Sequence, residues 1–283
     1  MLGDWNLYDA DLDTLLGELS RHRPTRAELM VTLNVDHVVK LSTDQEFRDA
    51  YETARWRTVD GMPVKWLLGL VGARKTRRIT GAELLPALCA SDEFRGRRVL
   101  LLGGRDDDLQ RAAVTLQDSC PDVTIMAVPV PIIGSPADTP DSVLDALQLA
   151  RPDIVFVCLG APKQELWVHH WQEVLPPAVY IGAGAAVAFV AGSERRAPRW
   201  VQHLGMEWLF RLAQEPTRLL RRYTTEAIPI IPIAMRSILP GRFFHRRPAA
   251  AALPAASHRA DPEDAPPFEV RRDGSDRGVL NGS

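Results

Sequence analysis

The chain has 283 residues, 46% of them hydrophobic and 25% charged, with 34 basic and 36 acidic side chains and a net charge of −2. This is ordinary globular composition on enough chain for one large or two small domains. It excludes wholesale disorder and a coiled coil, and the near-neutral charge gives no global case for nucleic-acid binding. Three scattered cysteines (Cys89, Cys120, Cys158) make neither a disulfide framework nor a zinc site and fit a reducing cytoplasm. The first residues lack a basic stretch followed by an apolar core, and no run reaches the ~18 apolar residues of a spanning helix, so the expectation is a soluble or peripheral protein.

Leu12, Leu15, Leu16 and Leu19 recur at helical spacing and predict an amphipathic helical extension over residues 1–24, ended by Arg23-Pro24. A short apolar strand, Leu29 to Asn34, comes next. A helical stretch then runs to about Arg55, and Thr58-Val59-Asp60 ends a second strand. Met62–Val71 and Ala82–Ala90 read as helices. From residue 98 the pattern becomes regular, with strands at Val99–Leu102, Val123–Val128, Ile154–Leu159 and Val179–Ile181. These alternate with helices at about Asp107–Ser119, Asp141–Ala150, Lys163–Val174 and Ala185–Val190. Strands without polar alternation, separated by helices, predict a parallel sheet covered on both faces: an α/β Rossmann-like sandwich over residues 25–195.

Composition then shifts. Between Arg195 and Arg247 there are eleven arginines, no lysine and three acidic residues, a net +8, against an apolar spacing that includes Trp200, Leu204, Trp208, Leu212 and Leu219. Residues 196–247 therefore read as a basic, amphipathic helical appendage. Residues 248–283, rich in Ala, Pro, Asp and Arg and poor in large apolar groups, read as a disordered tail that buries too little surface to offset chain entropy.

In an open parallel sheet, ligands bind beyond the carboxyl ends of the strands. That rule selects Thr32 and Asn34, Asp60-Gly61, Gly103-Gly104, Gly160 to Gln164 with Lys163 between them, and Gly182-Ala183-Gly184. Glycine lets backbone amides approach a phosphate, and helix starts favour anions, although strand-to-helix turns need glycine in any case. Asp60 stands after a strand and before Gly61. It reads either as a general base pointing into the cleft or as a helix N-cap ahead of Pro63. Gly182 to Val187 resembles the start of a dinucleotide fingerprint but lacks its third small residue. Asp106-Asp107-Asp108 reads as a helix-start cluster better than as a metal site, and His169-His170 are adjacent and diverge. Arg211, Arg218 and Arg221 share one helical face and suit a diphosphate, or equally an anionic membrane surface or solvent.

The motifs occur in a recognisable order: Thr32-Leu33-Asn34-Val35-Asp36-His37-Val38, Val59-Asp60-Gly61-Met62-Pro63-Val64, Arg78-Ile79-Thr80-Gly81 and Leu102-Gly103-Gly104. Leu159 to Trp167, Gly182-Ala183-Gly184, Gly205 to Arg211 and Glu215-Pro216-Thr217-Arg218 follow. Over about residues 28–224 this resembles the WecG/TagA/CpsF family of bacterial glycosyltransferases. The resemblance implies an inverting, metal-free transfer, with no cofactor, from a UDP-sugar of the N-acetylmannosamine type. The acceptor it implies is a sugar on polyprenyl diphosphate, in cell-surface polysaccharide or teichoic acid synthesis. It implies Asp60 as general base, Thr32 and Asn34 near donor sugar and base, Arg78 and Gln164 as further active-site groups, and Arg211, Arg218 and Arg221 as arginines that close over the nucleotide. It also implies peripheral attachment to the inner, cytoplasmic face of the plasma membrane and a capacity to form a homo-oligomer. Readings of a different class are a nucleotide-sugar-binding regulator without transfer activity and an NAD-dependent oxidoreductase; a nucleic-acid partner is not expected.

Overall fold

The computed structural model describes residues 6–70, 76–194, 197, 198, 201, 206, 209 and 210. All of them fall within one compact unit of the chain. The anticipated appendage (196–247), apart from those few positions, and the anticipated tail (248–283) lie outside the described residues.

Six strands form one all-parallel sheet: β1 (Ala27–Leu33), β2 (Trp56–Val59), β3 (Arg98–Leu102), β4 (Thr124–Val128), β5 (Ile154–Val157) and β6 (Ala178–Gly182), in the spatial order β2-β1-β6-β5-β3-β4. β5 and β6 are buried at every position, and β3 at every position but its first. This is the reason the sequence carries no polar alternation there: both faces of the sheet are covered. β4, at an edge, is partly exposed along its length.

The helices among the described residues are α1 (Leu12–Arg21), α2 (Val35–Thr43), α3 (Gln45–Thr53), α4 (Met62–Leu70), α5 (Gly81–Ala90), α6 (Asp106–Ser119), α7 (Asp141–Ala150), α8 (Lys163–Trp171) and α9 (Ala186–Val190). One core layer gathers Val38 of α2, Phe47 and Tyr51 of α3, Leu68 of α4, Leu147 of α7 and Trp167 of α8 against Val31, Leu100 and Val155. The other gathers Leu15 and Leu19 of α1, Leu84 and Leu88 of α5, Leu109 of α6 and Val187 of α9 against Met30, Leu101 and Phe156. Helices leaving β1 and β5 thus go to one face, and those leaving β3 and β6 go to the other. Such reversals open the crevice at the carboxyl end of a parallel sheet.

Two sequence expectations are refined. The stretch to Arg55 is two helices, because Asp44, extended at φ −118°, closes α2 and caps α3 by accepting from the Phe47 N–H at 3.1 Å. A short acceptor side chain favours a cap over the interior of a longer helix. The first helix is integral to the fold: Leu15 is fully buried, Ser20 Oγ donates to Glu93 at 2.7 Å, and Arg97 reaches from β3's approach to the Ser20 carbonyl at 2.7 Å.

The start of α5 packs on the turn after β6 so closely that a Cβ at Gly81 would stand 2.8 Å from Ala183 Cα. A Cβ at Gly69 in α4 would meet nothing within 4 Å among the described residues. Gly81→Ala should therefore lower unfolding free energy by about 1–3 kcal/mol through overpacking. Gly69→Ala should raise it by roughly 0.5–1 kcal/mol through helix propensity. Urea unfolding of the pair checks both signs.

Candidate active site

The carboxyl ends of β1, β2 and β6 hold a connected set of polar groups. Thr32, buried near the end of β1, donates its hydroxyl to the Gly182 carbonyl at 3.0 Å. The regular pairing of β1 with β6 has ended at Met30↔Ile181, so this side chain continues the contact where the backbone ladder stops. Asn34 caps α2 by accepting from the His37 N–H at 3.1 Å. Asp60 follows β2, and its N–H donates to the Leu33 carbonyl at 2.7 Å, which fixes it beside the β1 end. On its other side Val59 pairs in parallel with Arg78, and the Ile79 N–H donates to the Val59 carbonyl at 2.9 Å. Asp60 is half-buried and stands between the Leu33–Asn34 corner and the Arg78 segment. α4 begins at Met62, directly after Gly61 (φ 94°), so Asp60 stands in the turn between β2 and α4.

A second group lies at β3 and β5. Gly103 is buried against Leu159, and its N–H donates to the Val128 carbonyl at 3.0 Å, while Gly104 is exposed just before α6. The Gly160 carbonyl accepts from the Gln164 N–H at 3.0 Å, opening α8. Lys163 does not hang free: its Nζ donates to the Ile133 carbonyl at 2.7 Å, tethering the loop after β4. Asp106, Asp107 and Asp108 occupy the first turn of α6, whose cap position is Arg105. Asp108 is buried and pairs with Arg111 at 2.6 Å, a structural use. Among the described residues no group of three or more His, Cys, Asp or Glu side chains is arranged to hold a metal ion.

The third group is the least visible in the sequence. Gln164 Nε2 donates to Glu165 Oε1 at 2.7 Å, and Gln164 Oε1 accepts from the Gly184 N–H at 3.1 Å. Glu165 Oε1 lies 3.5 Å from His37 Nε2, and His37 Nδ1 is 2.8 Å from the Tyr51 hydroxyl. Glu165, His37 and Tyr51 are all fully buried. Gly182 is glycine for the protein's own packing, since a Cβ there would lie 2.8 Å from Gln164 Nε2. With Gly182 so filled and the Gly184 N–H engaged by Gln164, the dinucleotide reading of Gly182 to Val187 loses its phosphate cradle; the following helix, α9, has five residues.

His37, Tyr51 and Glu165 are not among the residues that the strand-end rule selects. The signal available was positional: Glu165 lies three residues before buried Val168, on the inward face of α8, where an ionisable group is out of place. Burial pushes the Glu165 carboxyl up to about 7, Asp36 adding to the rise while the bond from Gln164 and the charge of Lys40 oppose it. Burial also raises the Tyr51 hydroxyl well above its ordinary value, with the charge of Glu165 adding to the rise and that of Arg57 opposing it. Arg211, Arg218 and Arg221 lie outside the described residues.

The folded state therefore holds a proton on Glu165 that the unfolded chain releases from its ordinary value of 4.5 upward. The stability this contributes is complete below pH 4.5 and is lost as pH rises through about 7. Thermal melts should show wild type losing more stability than Glu165→Gln across that interval; parallel curves would contradict the assignment.

No helix among the described residues is long and apolar enough to cross a membrane. The profile of the family described as "Glycosyl transferase WecG/TagA/CpsF family" matches residues 4–243. The chain is also similar to the N-acetylglucosaminyldiphosphoundecaprenol N-acetyl-beta-D-mannosaminyltransferase of Bacillus subtilis (strain 168). The two are 27% identical over 217 residues, 75% of this chain and 82% of that relative.

Proposed function

This chain belongs to the glycosyl transferase WecG/TagA/CpsF family and is a glycosyltransferase; we propose that it moves an N-acetylmannosamine-type sugar from a UDP-sugar, with inversion, to a sugar carried on polyprenyl diphosphate. The relative's name supplies the donor sugar and the class of acceptor. The observation that carries the mechanism is the placement of Asp60, held by its backbone beside the β1 end, half-open, and flanked by the Arg78 segment.

In this reading the acceptor hydroxyl attacks the anomeric carbon from the face opposite UDP. Asp60 takes the hydroxyl proton as the new C–O bond forms. The old bond to the diphosphate oxygen breaks, and its electron pair leaves with UDP, so one proton and one glycosyl group move and the anomeric configuration inverts. General-base assistance of this kind is typically worth ~10²–10⁴-fold in rate. The charge developing on UDP is met by the helix start of α8 at the end of β5 and by cationic side chains. Arg78 sits next to the base, and Arg211, Arg218 and Arg221 are assigned to the diphosphate by the family resemblance and their one-face spacing. Transfer is accordingly read as metal-independent and free of cofactor. The net charge of +8 between Arg195 and Arg247 supports peripheral attachment to anionic lipid at the cytoplasmic face, where a membrane-tethered acceptor is reached.

Released UDP is the direct readout, with a panel of UDP-sugars and a short-chain polyprenyl-diphosphate sugar as acceptor. Asp60→Asn should cut turnover by at least ~10²-fold while UDP affinity changes little; retained turnover removes the base assignment. Chelator should leave the rate within about twofold, and a complete loss restored by a divalent metal overturns the metal-independent reading.

A further inference from the structure

An amide side chain has two ends of nearly the same shape, and what distinguishes them is the partner each finds. Gln164 is held at both: its oxygen by the Gly184 N–H at 3.1 Å and its nitrogen by Glu165 Oε1 at 2.7 Å. It lies directly beneath Gly182, whose carbonyl takes the Thr32 hydroxyl. The turn after β6, one of the strand ends that form the candidate site, therefore stands on the orientation of one carboxamide. Glu165 is an expensive way to secure it. It is fully buried, and its second oxygen finds no hydrogen-bond partner among the described residues. An apolar residue of similar volume would relieve that cost. What the carboxyl offers, with or without its proton, is an acceptor at Oε1 that meets the NH2 end of Gln164, while the Gly184 N–H meets the carbonyl end. Its own rotamer is backed by His37, 3.5 Å away, and His37 is in turn hydrogen-bonded to Tyr51.

We propose that Glu165, backed by His37 and Tyr51, is a positioning residue for glycosyl transfer that sets the orientation of the Gln164 carboxamide and through it the Gly182–Gly184 turn. The kinetic part of this proposal rests on the reading that the strand-end cleft is the transfer site; the orientation of Gln164 does not.

The test is a double-mutant cycle on the full chain, with UDP release as readout. Glu165→Leu should lower kcat at least tenfold with donor KM moved less than threefold. Glu165→Gln, which keeps an acceptor oxygen, should retain at least a third of the wild-type rate. In a Gln164→Ala background, Glu165→Leu should cost less than a further twofold, because the group it positions is gone. Losses that multiply in the double variant overturn the proposal, and so does a Glu165→Gln as impaired as Glu165→Leu. Glu165→Met serves the same cycle if the leucine variant does not fold. A wild-type protein that releases no UDP from any donor would be a failure of the proposed function instead. The Gly184 amide resonance of 15N-glycine-labelled protein then reads the proposal without turnover. It should shift in Glu165→Leu and stay in place in Glu165→Gln; no shift in the leucine variant overturns it.

Discussion

Where the carboxyl end of β6 meets the first turn of α8, residue 182 has room for a hydrogen atom. A Cβ would stand 2.8 Å from Gln164 Nε2 and 3.0 Å from Glu165 Oε1. That missing side chain lets α8 push two polar groups under the end of the sheet. The same residue's carbonyl accepts the Thr32 hydroxyl from the β1 side. Four elements, β1, β6, α8 and the turn into α9, are thereby joined through side chains at the point where their backbone pairing has run out. A rigid floor of this sort is what a transfer site needs, since reacting groups must be held to within a fraction of an ångström for orientation to contribute to rate.

Two carboxylates near this floor occupy contrasting environments. Asp60 is half-buried and held beside the end of β1 by its backbone. Glu165 is closed off, pushed up to about 7 by burial and bonded to a neighbouring amide. Environment is what gives chemically similar groups different proton affinities and different partners. The fold bears the cost of a buried ionisable group near its strand ends, and natural proteins break local rules of this kind mainly where function asks for it.

Much of the architecture was legible in the chain. Continuous apolar runs such as Val99–Leu102 announced strands covered on both faces, and the rule that ligands gather beyond parallel strand ends selected Thr32, Asn34, Asp60 and the glycine turns. The split of residues 35–53 into α2 and α3 was harder to see, because Asp44 acts as a cap through its φ, ψ values, which periodicity does not encode. The close fit of α1 into the second core layer was likewise hidden: an amphipathic helix shows that it has a face to bury, and says nothing of what it is buried against.

The sequence by itself determined the alternation of strand and helix, the parallel sheet and the ordered motifs that mark the family, because each depends on short-range spacing and on residue type. The tertiary structure alone decided that the Asp60 N–H is held by the Leu33 carbonyl, that Lys163 is tied to the Ile133 carbonyl, and that Gly182 yields its space to Gln164 and Glu165. It alone joined Tyr51, His37 and Glu165 into one buried string. Those contacts join residues as far apart as 30 positions for Lys163 and Ile133 or 150 for Thr32 and Gly182. Hydrogen bonds over such separations arise from where packed elements bring their side chains, a property of the assembled layers that no local pattern carries.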